Sequence, residues 1–107
     1  MLETQFNFTK TDEKTIEKVV QKDAAWIMHM VLNKGESLPE HHANSNVFMI
    51  VVRGTITLQL ADQEAHHYES GSIVNIPHRT LMNVSNQNEE TLEFFVVKAP
   101  GPNMMKN

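Results

Sequence analysis

The sequence predicts an all-β domain, an antiparallel sandwich or barrel, and three observations carry that expectation. Short apolar runs rich in Val, Ile, Phe and Thr recur along the chain. Polar or Gly/Pro stretches interrupt them at near-regular spacing, and no sustained helical stripe lies between them to serve as the crossover of a parallel sheet. A length of 107 residues with 40% hydrophobic content supports one compact core and leaves no room for a second.

The elements follow in order. In Thr15–Gln21, Ile16, Val19 and Val20 sit at helical spacing, yet TIEKVV also reads as a short strand, and strand is the reading adopted. Strands are then expected at Trp26–Leu32, Val47–Val52, Thr55–Leu60, Ile73–Ile76, Leu81–Val84 and Leu92–Val97. Their breaks fall at Asn33-Lys34-Gly35, Arg53-Gly54, Ala61–Glu64, Ser70-Gly71, Pro77–Arg79 and Asn86–Glu90. Ala99-Pro100-Gly101-Pro102 ends the sheet because proline removes a backbone donor, so residues 99–107 are expected to form a loose tail. The chain thus divides into an N-terminal strand and arm (1–23), a barrel (24–98) and the tail. No internal repeat or low-complexity tract interrupts this plan.

Side chains alternate across a strand, so Val47, Met49 and Val51 face one way while Phe48, Ile50 and Val52 face the other. Leu92, Phe94 and Val96 oppose Phe95 and Val97 in the same manner. Both faces are apolar, and a strand that is apolar on both faces is covered on both. A second sheet covers one; a second subunit is the expected cover for the other, which predicts a homodimer.

Composition narrows the function. There is no cysteine, which removes disulfides, thiolate nucleophiles and Cys-based metal sites. A net charge of −4 with pI near 5.8 argues against nucleic acid as a partner, since that binding draws on Lys and Arg clusters. The N-terminus lacks the pattern of an export signal, and the longest apolar run is far short of the roughly 20 residues of a membrane helix. The expectation is a cytoplasmic protein with no membrane partner. Nucleotide-binding glycine motifs and the G-x-S-x-G elbow are missing from the sequence.

What remains is the segment GESLPEHHANSNVFMIVVRG, Gly35 to Gly54. Gly35, five residues, His41 and an apolar strand closing at Arg53-Gly54 resemble the first motif of the cupin superfamily, as small bacterial cupins carry it. Gly71-Ser72-Ile73-Val74-Asn75-Ile76-Pro77 resembles the second, with Asn86 at its last position, and Thr55–Ser70 has the length of the hairpin between the two. The resemblance spans Trp26–Val97 and implies a double-stranded β-helix, a small jelly-roll-like barrel with a mouth at one end. It also implies a metal centre of three His and one Glu, and here the sequence departs from it. His41 keeps the first ligand, but Ala43, Val47 and Met82 stand at the other three, and Arg79 stands at a motif glycine.

A divalent metal, if bound, therefore needs a rebuilt site, and His41 with Met82 is the candidate pair. His42, His78 and His29 are further imidazoles within range in sequence. A mixed imidazole and thioether set favours copper over zinc. Without metal, Val47, Met49, Val51, Met82 and Val84 are expected to line an apolar lumen, with His41, Asn46, His78 and Asn86 as polar groups near its opening. The resulting site is His41, Asn46, Met49, Val51, His78, Met82 and Asn86. His66 and His67 read as surface residues, and Glu40, the one carboxylate beside His41, as a solvated loop acid. Three functions fit: small-molecule binding or sensing in the lumen, a metal-dependent enzyme using a rebuilt His/Met cage on a small organic substrate, or a structural dimeric barrel with a filled interior.

Overall fold

The computed structural model describes residues 1–105, and its regular secondary structure is almost all strand: β1 (Thr15–Gln21), β2 (Trp26–Leu32), β3 (His41–His42), β4 (Val47–Arg53), β5 (Thr55–Leu60), β6 (His66–Glu69), β7 (Ile73–Ile76), β8 (Leu81–Ser85) and β9 (Leu92–Lys98). They form a five-stranded sheet, β1-β2-β9-β4-β7, and a four-stranded sheet, β3-β8-β5-β6, with every pairing antiparallel. The expected all-β barrel is the fold observed, and Thr15–Gln21 is a strand. No helix of the described residues is long and apolar enough to cross a membrane.

Strand alternation builds the core. Leu92, Phe94 and Val96 of β9 point between the sheets beside Val47, Met49 and Val51 of β4 and Met28, Met30 and Leu32 of β2, and all are buried. Ile56, Leu58, Met82 and Val84 meet them from the second sheet. Each fully buried side chain of this kind contributes about 1.5–3 kcal/mol. Between β4 and β5 the chain turns at Gly54, whose φ of +78° suits glycine and whose missing Cβ makes room for the Thr91 carbonyl; a Cβ there would lie 2.5 Å from that oxygen.

Two short strands escaped the sequence reading. His41-His42 is too short to show a period, and His66–Glu69 has no apolar alternation because it runs along the exposed edge of its sheet. The strands at β4, β8 and β9 also run one residue further than expected, to Arg53, Ser85 and Lys98. The tail is not loose through Met105. Gly101 is buried and donates to Asp23 O, Ser45 Oγ donates to Pro100 O, and Pro102–Met104 forms a 3-10 turn. Residues 106–107 lie outside the described residues.

On the outer face of the larger sheet, the chain supplies part of its own cover. Residues 8–12 reach that face, and Phe8 packs on His29 and Phe95 with ring centroids 4.7 and 5.0 Å away. His29 is fully buried, yet it points away from the lumen because Met28 and Met30 on either side point inward. Val52 and Ile73, further across the sheet, stay 47% and 67% exposed.

Candidate functional site

At one end of the barrel, where β2 and β4 begin and β9 ends, a cavity of about 60 Å³ lies between the sheets. It has room for roughly four to six water-sized atoms. Its wall is apolar on nearly all sides: Met28 and Met30 from β2, Val96 from β9, Val47 and Met49 from β4, with Leu38 and Met82 opposite. The polar side chains in its lining are His41 and Lys98.

Lys98 is there by parity. It follows Leu92, Phe94 and Val96 on the inward face of β9 and pairs in register with Trp26 on one side and Val47 on the other. Its side chain is half-buried, with Nζ 5.9 Å from the centre of the Trp26 ring. Lys18 Nζ stands 5.5 Å from the same ring. Among the described residues, neither ammonium is within ion-pair distance of a carboxylate. Burial pushes the Lys98 ammonium below its ordinary value, and the charge of Lys18 pushes it the same way.

His41 is the other polar group. Its Nδ1 lies 2.8 Å from Pro39 O; a carbonyl only accepts, so Nδ1 carries the proton and a neutral ring presents its lone pair at Nε2. Its strand neighbour across the sheet is Met82.

Of the residues that sequence reasoning selected, His41, Met49 and Met82 line this cavity together. Val51 points inward but lies deeper in the packed core, 1% exposed and outside the cavity lining. Asn46 is half-buried in the link before β4, where its Oδ1 accepts from Asn75 Nδ2. His78 sits half-buried between β7 and β8 and takes no part in the lining. Asn86 is at the far end of the barrel. Fully buried, it donates from Nδ2 to Leu32 O and Glu90 O and accepts at Oδ1 from Asn88 N, so it closes loops rather than facing an opening. Sequence reasoning did not place Lys98, Met28, Met30, Leu38 and Val96 at the cavity. Extending the β9 alternation by one residue finds Lys98.

The donor set at the mouth does not fit a three-His, one-Glu metal centre. Ala43 and Val47 have no lone pairs and are 2% and 0% exposed, and no group of three His, Cys, Asp or Glu side chains suited to a metal ion occurs among the described residues. The other imidazoles do not fill the gap. His42 is exposed beyond the lining, and His29 lies on the opposite side of β2 with both ring nitrogens engaged.

A family model described as a cupin domain matches residues 28–98, most of the barrel. The chain is a cupin. A curated relative, described as an uncharacterised protein of the archaeon Methanocaldococcus jannaschii, is 46% identical over 104 residues, spanning 95% of this cupin and 89% of the relative. The crystal structure of an RmlC-like cupin family protein with a double-stranded β-helix fold from the same organism superposes with a TM-score of 0.93 at 43% identity, covering 96% of this cupin and 95% of that chain. These matches place close relatives of this cupin in an archaeon, whereas the motif resemblance pointed to bacterial cupins. A double-stranded β-helix protein of Klebsiella pneumoniae, at TM-score 0.76 and 17% identity over 88% of this cupin and 83% of that chain, shares the fold alone.

Proposed function

We propose that this cupin binds a small, largely apolar organic molecule in its lumen, as a binding or sensing module. The observation that carries this reading is the cavity itself: seven apolar side chains enclose it and two polar ones, His41 and Lys98, are set into its lining. A concave apolar chamber with few oriented polar groups suits a small ligand. An interior given over to structure alone would be filled by its own side chains.

One observation favours a second reading, a metal-dependent enzyme with a rebuilt centre. Met28, Met30, Met49 and Met82 line the same cavity as His41, and thioether with imidazole suits a soft ion such as Cu(I). A structural role as a dimeric barrel rests on the exposed Val52 and Ile73 of the outer face.

Titrating protein carrying ¹³C-methyl methionine with a panel of small organic molecules and, separately, with Cu(I) tests the readings together. Saturable shifts of the Met28, Met49 and Met82 methyls by an organic probe support the first. A stoichiometric ion that is lost on His41→Ala supports the second and counts against the first. Methyls that respond to no probe leave only the structural role, which sedimentation of the intact chain then addresses.

A further inference from the structure

Resting on that reading of the lumen, we infer that the ligand is a short aliphatic carboxylate, its hydrocarbon end against Met28, Met49 and Met82 and its carboxylate on the Lys98 ammonium. Charge placement, chamber size and cation exclusion support this inference. The chain has 13 acidic and 9 basic residues, yet two lysines flank one indole at this mouth, and neither has a carboxylate within ion-pair range among the described residues. A half-buried ammonium beside a like charge is costly, and an incoming anion offsets both the lost hydration and the repulsion. Lys18 then adds to the attraction from the rim.

The chamber has room for roughly four to six water-sized atoms, which matches an acid of about three to five carbons whose head group reaches the mouth. The last inward position of β9 puts the cation at the end of the apolar stripe of Phe94 and Val96, so head and tail of such an acid meet matching surfaces. The same ammonium opposes a metal cation in the lumen, which separates this inference from a rebuilt copper site.

The test is a methyl-methionine titration of the full chain with sodium butyrate and valerate, and with 1-butanol and 1-pentanol as matched neutral probes. The carboxylates are expected to shift the lumen methyls saturably and to bind about tenfold or more tightly than the alcohols. Lys98→Met, which keeps the apolar stem, is expected to remove that preference while still admitting the alcohols, and Lys98→Arg to retain it. Equal affinity for acid and alcohol in the parent and in Lys98→Met overturns the carboxylate assignment and leaves small-molecule binding standing. If no acid or alcohol moves the lumen methyls, both the assignment and the underlying reading fail.

Discussion

His29 Nε2 lies 2.7 Å from Glu93 Oε2, and on the other side of the same ring Nδ1 lies 2.7 Å from Glu17 Oε2. Each ring nitrogen thus lies at hydrogen-bond distance from a carboxylate, and His29 bridges Glu17 of β1 and Glu93 of β9 across the sheet. Phe8 and Phe95 close over the ring. Arg53 extends the network: Nη1 donates to Asp12 of the arm at 2.6 Å, and Nε stands 3.3 Å from Glu93 Oε1 as an ion pair without hydrogen-bond geometry. The N-terminal arm is thereby fastened to the sheet by charge as well as by apolar contact.

Removing the central ring should expose how much this network holds. His29→Leu is expected to destabilise the protein by about 1–3 kcal/mol, because Glu17 and Glu93 each lose the contact to the ring and keep only Thr9 and Arg53 as partners. Urea unfolding measures the loss, and hydrogen exchange at residues 8–12 is expected to rise. A variant as stable as the parent would show that the carboxylates find water instead.

The arm should also respond to acid. Glu17 is held below its ordinary value of 4.5, first by the Thr9 backbone N–H and also by His29 and the Thr9 hydroxyl, against a desolvation effect that raises it. A depressed carboxylate contributes stability that is fully present above its unfolded value and is lost as pH falls through the folded one. Arm protection is therefore expected to decline below about pH 4.5, and Glu17→Gln to flatten that decline. Hydrogen exchange across pH 3–6 reads both.

At the opposite end of the barrel from the cavity, Asn86→Ala is expected to cost about 1–3 kcal/mol, since the buried Leu32 O and the part-buried Glu90 O and Asn88 N lose their partner. Ligand binding in the lumen should be unchanged once the variant is folded. A large loss of affinity at unchanged stability would place Asn86 in the site after all.

Arg79 occupies φ +76°, a left-handed conformation that glycine adopts freely. It stands where the motif resemblance leads one to expect glycine, so the backbone demand persists although the residue has changed. Arg79→Gly should raise stability by up to about 1 kcal/mol, the relief of strain being partly offset by the freer unfolded chain. Thermal unfolding gives the sign, and a destabilised variant would mean that the arginine side chain holds the turn.

Lys98 should trade stability for function. Its ammonium is depressed by burial first and by Lys18 second, so the unfolded chain holds its proton more tightly than the folded one. Stability attributable to this group is therefore expected to increase as pH rises from the folded value toward 10.5. Lys98→Met is expected to raise the melting temperature of the unliganded protein near neutral pH and to erase that slope. A lower melting temperature would show that the stacking on Trp26 outweighs the desolvation cost.

The sequence by itself determined the seven apolar strands and their two faces, because a period of two is written locally and a run such as LEFFVVK declares which residues share a side, whereas the short polar strands His41–His42 and His66–Glu69 carry no such period. It also brought His41, Met49 and Met82 into one candidate group, since inward parity and the spacing of the two motifs act on neighbouring residues. It did not show that Asn86 belongs to the far end, or that Lys98 completes the inward stripe one residue past the expected end of β9. Tertiary structure decided those points, and it alone assembled the charged fastening of the arm. The two carboxylates that grip His29 come from 12 and 64 residues away in the chain, and only strand pairing across the sheet places them on one ring. Whether an inward side chain fills the core or borders a cavity likewise depends on how two sheets meet at their ends, a packing outcome that no local pattern encodes.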